Sequence, residues 1–191
     1  MGALACGLVD TVLALAVVAA FATAPEATEP VWEALRQPGA VVIVRHSYAP
    51  GAFDPPDARL EDCSTQRNLD AAGRAQARRI GEAFRAHAIA AGTVLSSPRC
   101  RCLDTARLAF GTAESWWPLQ GALQDASLRQ RLVGEIQARI AAHREGPPLV
   151  LVTHGSVVTD LTGLDVRMGA FVVLRLATDG RHVVAGQLYV D

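Results

Sequence analysis

Histidine and arginine recur at the ends of apolar stretches in this sequence. His46 follows Arg45 at the end of one such stretch, His154 ends another, and Arg101 lies shortly after a third. Arginine forks and histidine donors stabilise the negative charge that spreads over a phosphoryl group during its transfer. This set of residue types therefore predicts chemistry on phosphate.

The elements that must hold these residues are predicted strands and helices in alternation. Unbroken apolar, β-branched stretches are typical of strands buried on both faces of a sheet. They occupy residues 40–44, 93–96 and 149–153. Apolar residues at three- and four-residue spacing, with capping residues at the ends, predict helices. These cover residues 70–91, 99–110 and 127–143.

The tail of the chain predicts an antiparallel hairpin. Residues 171–176 and 183–190 alternate more in polarity, and the turn signal Thr178-Asp179-Gly180 separates them. The whole pattern predicts an α/β fold, a three-layer sandwich with a mostly parallel central sheet flanked by helices. The crevice of such a sheet lies at the carboxyl ends of its strands. We therefore expect Arg45, His46 and His154 to share one crevice.

The charged residues exclude several function classes. All 18 basic residues are arginine, so Schiff-base chemistry and a phosphate loop ending in Gly-Lys are excluded. The 19 acidic residues nearly cancel that charge, and no run of like charge occurs. A nucleic-acid surface therefore has no support. We expect a small ligand, bound by arginine.

The first 24 residues are predicted to be an export signal. They are apolar with Asp10 as the one charged side chain, and Ala20-Phe21-Ala22 supplies a cleavage site. The positive residues that usually precede such a stretch are missing, so an uncleaved N-terminal membrane anchor is the alternative. A third hypothesis is that this segment forms a buried N-terminal helix of the domain. We expect a periplasmic or secreted protein, with membrane attachment through this segment if it is uncleaved.

Proline and acidic residues follow the apolar segment. They predict a linker over residues 25–38 and a single domain over residues 39–191. Within that domain, Cys63, Cys100 and Cys102 are an odd number for an exported protein. We favour a disulfide between Cys63 and Cys100, with one thiol left free. A zinc site is less expected, since Cys100 and Cys102 lack the spacing of a ligand pair.

Four motifs in order resemble the histidine phosphatase superfamily, in its phosphoglycerate mutase-like branch. They are Val-Arg-His-Ser at 44–47, Arg-Asn-Leu-Asp-Ala-Ala-Gly-Arg-Ala-Gln-Ala at 67–77, Ser-Ser-Pro-Arg-Cys-Arg at 96–101, and Val-Thr-His-Gly at 152–155. The resemblance implies a phosphoglycerate mutase-like fold. Ser47 stands where the family usually has glycine, and the loop to Arg67 is unusual for sugar-phosphate mutases. The resemblance therefore favours phosphatase over mutase activity.

The resemblance also implies roles for individual residues. His46 is expected to be the nucleophile that becomes phosphohistidine, and Arg45, Arg101 and His154 are expected to form the phosphate pocket. The family normally supplies a carboxylic acid after the arginine helix. Here Glu114 and Asp125 are available, and Asp125 is preferred.

Further candidates come from placement beside these residues. Arg67 and Asn68 end the long loop, and Ser47 and Gly155 each follow one of the two histidines, so all four are candidate substrate contacts. No metal ligand set and no cofactor are predicted.

The sequence thus predicts a metal-independent phosphatase that hydrolyses small phosphate monoesters through phosphohistidine on His46. A catalytically weak phosphate-binding or regulatory domain of the same fold is the alternative. A metalloenzyme that uses His46 and His154 as ligands is least expected, because no carboxylate or cysteine lies at ligand spacing to either.

Overall fold

The computed structural model describes residues 28–121 and 124–190 of the chain. Helices and strands alternate along most of it: α1 Glu29–Arg36, β1 Val41–Arg45, α2 Ala71–Ala86, β2 Val94–Ser96, α3 Cys100–Phe110, β3 Glu114–Ser115, α4 Ala126–Ala142, β4 Leu149–Thr153, α5 Gly155–Thr162, β5 Ala170–Leu176 and β6 His182–Tyr189. The predicted export segment, residues 1–24, and its cleavage site lie outside the described residues. Within those residues, no helix has the length and apolar character needed to span a bilayer.

A six-stranded sheet forms the middle layer, in the order β3-β2-β4-β1-β5-β6. The first four strands in this order pair in parallel. β5 pairs antiparallel with β1, and β6 pairs antiparallel with β5. This confirms the predicted α/β fold, and the predicted hairpin forms one edge of the sheet. The two-residue strand β3 at the other edge was not predicted, because two exposed residues leave no pattern in the sequence.

Apolar residues of the central strands face both outer layers. Val42 and Val44 of β1 pack in a core with residues of α1, α2 and α3. Val41 and Ile43 of the same strand pack on the opposite side, with residues of α4 and α5. Burial on both faces explains why the sequence of β1 is an unbroken apolar run.

Capping residues fix most helix ends near their predicted places. Asp70 caps α2 by accepting a hydrogen bond from the Gly73 N–H, at 2.8 Å. Gly111 ends α3 with a φ of 78°, which glycine adopts without strain. The helix α2 ends at Ala86 rather than near residue 91, and Ala88 in the following turn has a φ of 55°.

The prediction of a linker over residues 25–38 is wrong for the helix α1. Val31, Trp32 and Leu35 of this helix are buried in the core. The Trp32 ring stacks on His87, with 4.1 Å between ring centroids, and meets Phe171 edge-on. Pro30 was interpreted as a linker residue, but proline is also favoured in the first turn of a helix. The folded domain therefore includes α1.

The long connection from β1 to α2 is fastened to the N-terminus of α3. Cys63 and Cys100 form a disulfide, as favoured from the sequence. The Gln66 side chain accepts a hydrogen bond from the Cys100 N–H at 3.0 Å and donates to the Arg59 carbonyl at 2.8 Å. Cys102 is a buried free thiol, and burial raises its pKa to about 12. The connection is thus tied down beside the carboxyl ends of the strands.

Candidate active site

The carboxyl ends of the neighbouring strands β1, β4 and β2 bring the two predicted histidines together. The His46 N–H extends the β1–β4 ladder by donating to the Thr153 carbonyl at 2.9 Å. His154 directly follows Thr153, and the two histidine rings lie with centroids 5.4 Å apart and planes 67° apart. Both residues are nearly inaccessible to solvent. The strand ends therefore place two imidazoles in one buried volume.

His46 is held as a neutral imidazole with one nitrogen free. Its Nδ1 lies 2.8 Å from the Ser47 carbonyl oxygen. A carbonyl can only accept, so Nδ1 carries the proton and Nε2 keeps a lone pair. Burial lowers the pKa of His46 to about 3, and the charges of Arg101, Arg67 and Arg45 act in the same direction. His46 is therefore an unprotonated imidazole at neutral pH, with a lone pair available on Nε2.

His154 is held in the opposite tautomer. Its Nδ1 lies 3.4 Å from Nη2 of Arg101, which can only donate, so Nδ1 accepts. Its Nε2–H then donates to the Ser97 hydroxyl at 2.8 Å. Burial, then the charges of Arg101 and His46, hold the pKa of His154 well below its usual value. His154 is thus a neutral residue with fixed orientation.

Three arginines surround His46. The Nε atoms of Arg45, Arg67 and Arg101 are buried and have no hydrogen-bond partner among the described residues. A buried donor without a partner costs free energy, and an oxyanion is an acceptor suited to such donors. These guanidinium groups are therefore suited to hold the oxygens of a phosphoryl group.

Backbone contacts hold two of these arginines in place. Arg45 Nη1 donates to the Val166 carbonyl at 2.5 Å, and Gly155 packs so closely that a Cβ there would lie 3.0 Å from Arg45 Cζ. Arg67 Nη1 donates to the carbonyls of Ala49, at 2.6 Å, and Gly51, at 3.1 Å. The predicted residue Gly155 thus contacts the site through the face of Arg45.

Asp54 is a site residue that the sequence analysis missed. Its carboxylate accepts hydrogen bonds from Arg101 Nη1, at 2.8 and 3.1 Å, and from the Arg67 N–H at 2.9 Å. Its Oδ2 also lies 3.5 Å from Arg99 Nη1. Asp54 is one of several acidic residues in an aperiodic loop, and no local signal distinguishes it from Asp57.

Ser47 and Asn68, the other two predicted substrate contacts, differ in what they contact. Ser47 is fully buried, its N–H donates to the Thr105 hydroxyl at 3.0 Å, and its own hydroxyl has no partner among the described residues. Asn68 turns its amide toward the loop and donates to the Cys63 carbonyl at 2.6 Å. Ser47 therefore supports His46 directly, whereas the contact of Asn68 is with the loop.

Asp125, the preferred general acid, has a structural role at the start of α4. Its carboxylate accepts hydrogen bonds from the N–H groups of Ser127 and Leu128, at 2.9 and 3.0 Å. The bond from Leu128, followed by that from the Ser127 side chain, lowers the pKa of Asp125. A general acid needs a raised pKa instead. Glu114, the other carboxylate considered, is exposed on β3.

No group of three or more histidine, cysteine or acidic side chains suited to hold a metal ion occurs in residues 28–121 and 124–190. Residues 41–125 match the sequence profile of the histidine phosphatase superfamily, branch 1.

The chain is thus similar to the histidine phosphatase superfamily, and its fold is the one that this superfamily has. No curated protein sequence matches the chain. Solved structures do: the protein histidine phosphatase SixA, complexed with tungstate, is 19% identical with a TM-score of 0.58, over 78% of this chain and 96% of that one. Rv3214 from Mycobacterium tuberculosis is 15% identical with a TM-score of 0.60, over 79% of this chain and 97% of that one.

A mutant phosphoserine phosphatase from Entamoeba histolytica, in complex with phosphoserine, is 11% identical with a TM-score of 0.56, over 78% of this chain and 95% of that one. At these identities the structural similarity establishes the histidine phosphatase fold and nothing narrower. The family match supports phosphatase activity, and the superfamily also includes mutases.

Proposed function

We propose that this protein hydrolyses phosphate monoesters, without a metal ion, through a phosphohistidine intermediate on His46. One observation carries the proposal: a neutral His46 with Nε2 free lies among three arginines whose buried Nε atoms have no partner among the described residues. A nucleophile inside an oxyanion pocket is the arrangement that phosphoryl transfer to histidine needs.

The reaction then runs in two displacements. Nε2 of His46 attacks phosphorus, the bond from phosphorus to the ester oxygen breaks, and the alcohol leaves with a proton from water. A second water molecule attacks phosphorus and gives a proton to the hydroxide left by the first, the phosphorus–nitrogen bond breaks, and inorganic phosphate and neutral His46 are released. The Ser47 carbonyl, which accepts from Nδ1–H, stabilises the positive charge that the ring carries while Nε2 is phosphorylated.

The surroundings of the carboxylates favour substrates with good leaving groups. Asp54 is held ionised by arginine, and Asp125 caps a helix. Without an acid in place, an alkoxide leaves slowly, because protonation of the leaving group typically contributes about 100- to 10,000-fold in rate. Aryl phosphates, acyl phosphates and phosphohistidine have leaving groups that depart more readily. The name of the neighbouring SixA, protein histidine phosphatase, fits the last of these classes.

The decisive experiment compares an activated aryl phosphate with an unactivated sugar phosphate, each with a chelator present. We expect the protein to hydrolyse the aryl ester well and the sugar ester poorly, with no effect of the chelator. His46→Ala should lose all turnover, whereas His182→Ala, on β6 away from the site, should keep it. Rapid acid quenching should trap labelled phosphate on His46.

A phosphate-binding domain of low activity is the second candidate. It is motivated by the structural contacts of Asp54 and Asp125, which leave neither carboxylate suited to act as a general acid. In that case the protein would bind an oxyanion such as tungstate and turn over neither ester. Equal hydrolysis of both esters would instead indicate a working general acid.

A further inference from the structure

The Asp54 carboxylate contacts arginines outside its own loop. Asp54 belongs to the connection between β1 and α2, yet its carboxylate meets Arg101 and Arg99, which lie 47 and 45 positions later in the sequence. The Arg101 and Asp54 side chains are only 6% and 16% exposed. This carboxylate is therefore shielded from solvent and directed at the arginines.

We propose that Asp54 is a positioning residue that sets the orientation of the Arg101 guanidinium group for phosphoryl binding. The proposal rests on the phosphoryl-transfer function proposed above. Nothing in the family motifs of this sequence marks Asp54, because it lies between the first motif and the second.

Hydrogen bonds on two sides define the Arg101 guanidinium plane. Asp54 accepts from Nη1, and His154 Nδ1 lies 3.4 Å from Nη2. These two contacts leave Nε as the donor without a partner among the described residues. Removing Asp54 would leave Nη1 with only its longer bond to the Arg67 carbonyl, at 3.4 Å, and allow the plane to rotate, so that Nε no longer points at a fixed place.

Asp54 also joins two arginines to one another. Its Oδ1 accepts from both the Arg101 guanidinium and the Arg67 N–H, at 2.8 and 2.9 Å. The backbone of Arg67 and the side chain of Arg101 are thus fixed relative to each other. Burial alone would raise the pKa of Asp54, but the hydrogen bond from Arg67 and the charges of Arg101 and Arg99 outweigh it, so the pKa lies below its usual value. Asp54 is therefore a permanent anion at neutral pH.

Charge alone makes the opposite prediction to positioning. Asp54 is a negative group beside an oxyanion pocket, so its simple removal should strengthen the binding of a dianion. If Asp54 positions Arg101, its removal should instead weaken that binding. The sign of the change in affinity therefore separates the two explanations.

The test uses tungstate, a tetrahedral dianion, in calorimetric titrations of the chain and of Asp54→Ala and Asp54→Asn. We expect Asp54→Ala to raise the tungstate Kd by about 10- to 100-fold, the range found when residues that orient metal-ligating side chains are removed. Asp54→Asn keeps an acceptor for the Arg67 N–H and should give a smaller rise. Asp57→Ala, in the same loop and exposed, is the matched control and should leave the Kd unchanged.

Unchanged or tighter tungstate binding by either Asp54 variant would overturn the proposal. Circular dichroism of each variant establishes that it is folded. If Asp54→Ala does not fold, the result for Asp54→Asn decides alone. Because tungstate binding needs no turnover, failure of this proposal is distinct from failure of the phosphatase proposal, which would appear as absent hydrolysis by the unmodified chain.

Discussion

Two neutral histidines lie among positively charged arginines in this site. His46 and His154 are both buried, and burial disfavours the charged form of each ring. The nearby guanidinium groups disfavour it further. The phosphoryl group that we propose as the ligand would bring negative charge into the same volume, where the arginines would stabilise it and the histidine lone pair would stay available.

This electrostatic arrangement predicts a stability that depends on pH. The pKa of His46 is lowered to about 3 in the folded protein, whereas an unfolded histidine titrates near 6.5. The unfolded chain therefore binds more protons between these values, and stability is present in full above pH 6.5 and lost as the pH falls toward 3. We expect the free energy of unfolding in urea to be lower at pH 4.5 than at pH 7.5, with His46 contributing about 2 to 3 kcal/mol of the loss.

His46→Asn is the matched control for this pH dependence. The asparagine amide can donate to the Ser47 carbonyl as Nδ1–H does, but it does not titrate in this range. The variant should lose less stability than the unmodified chain between the same two pH values. Equal losses in the two proteins would show that His46 does not carry the effect.

Gly121 is predicted to fix the position of His154. A Cβ at this residue would lie 2.8 Å from Cδ2 of the His154 ring, and its φ is 62°. Gly121→Ala should displace the ring and lower kcat/KM for an aryl phosphate on the order of 100-fold, since small displacements at a reacting centre can cost that much. Gly111 has a similar φ of 78°, and a Cβ added there would have no atom within 4 Å. The variant Gly111→Ala should lose about 1 kcal/mol of stability from backbone strain but keep its activity. Similar kcat/KM values for the two variants would refute the role of Gly121.

At the scale of elements, three parallel strands and one fastened loop build the site. β1 and β4 supply the two histidines, β2 leads to Ser97 and the start of α3, and the loop before α2 supplies Arg67 and Asp54. The strands are fixed by ladder hydrogen bonds, whereas the loop is held by side-chain hydrogen bonds, such as that from the Cys100 N–H to Gln66. The disulfide between Cys63 and Cys100 adds a covalent attachment to α3.

Breaking this disulfide should reduce both stability and activity. The bond closes a loop with a sequence separation of 37 residues, and crosslinks of this span stabilise by about 3 to 4 kcal/mol. We expect dithiothreitol to lower the free energy of unfolding by that amount and to lower kcat/KM, because Arg67 lies four residues after Cys63. The double variant Cys63→Ala/Cys100→Ala should show both losses without reductant and no further response to it. Full activity of that double variant would mean that the loop is held by its other contacts.

At the scale of the whole molecule, the disulfide bears on where the protein works. Structural disulfides persist in oxidising compartments such as the periplasm. We propose that residues 1–24 direct export and that the folded domain, which includes α1, acts outside the cytoplasm. Membrane attachment through an uncleaved segment is the alternative form of this proposal.

Expression of the full chain in a bacterium with a periplasm tests the export proposal. The protein should be recovered in the periplasmic fraction with a mass that corresponds to cleavage after Ala22 and with Cys63 and Cys100 oxidised. A variant that lacks residues 1–24 should stay in the cytoplasm. Recovery of the uncleaved chain with membranes would indicate the anchor, and retention of the full chain in the cytoplasm would contradict export.

Much of the fold could be predicted from the sequence because its central elements leave local patterns. Burial on both faces makes β1 and β4 continuous apolar runs, and Asp70 and Gly111 mark helix ends by their own chemistry. The motifs around His46 and His154 then identified the strand ends that carry the histidines. The sequence also favours the disulfide between Cys63 and Cys100, and the structure confirms it.

Only the tertiary structure decided which residues complete the site. Asp54 meets Arg101 across 47 positions of sequence, and Gly121 meets His154 across 33. Such contacts join irregular segments, in which no periodicity relates a residue type to a position. The helix α1 was misread for a related reason, since proline is favoured both in linkers and in the first turn of a helix, and packing on the sheet distinguishes the two. The sequence thus determined the strands and the ends that carry the two histidines, and packing between distant segments determined what surrounds them.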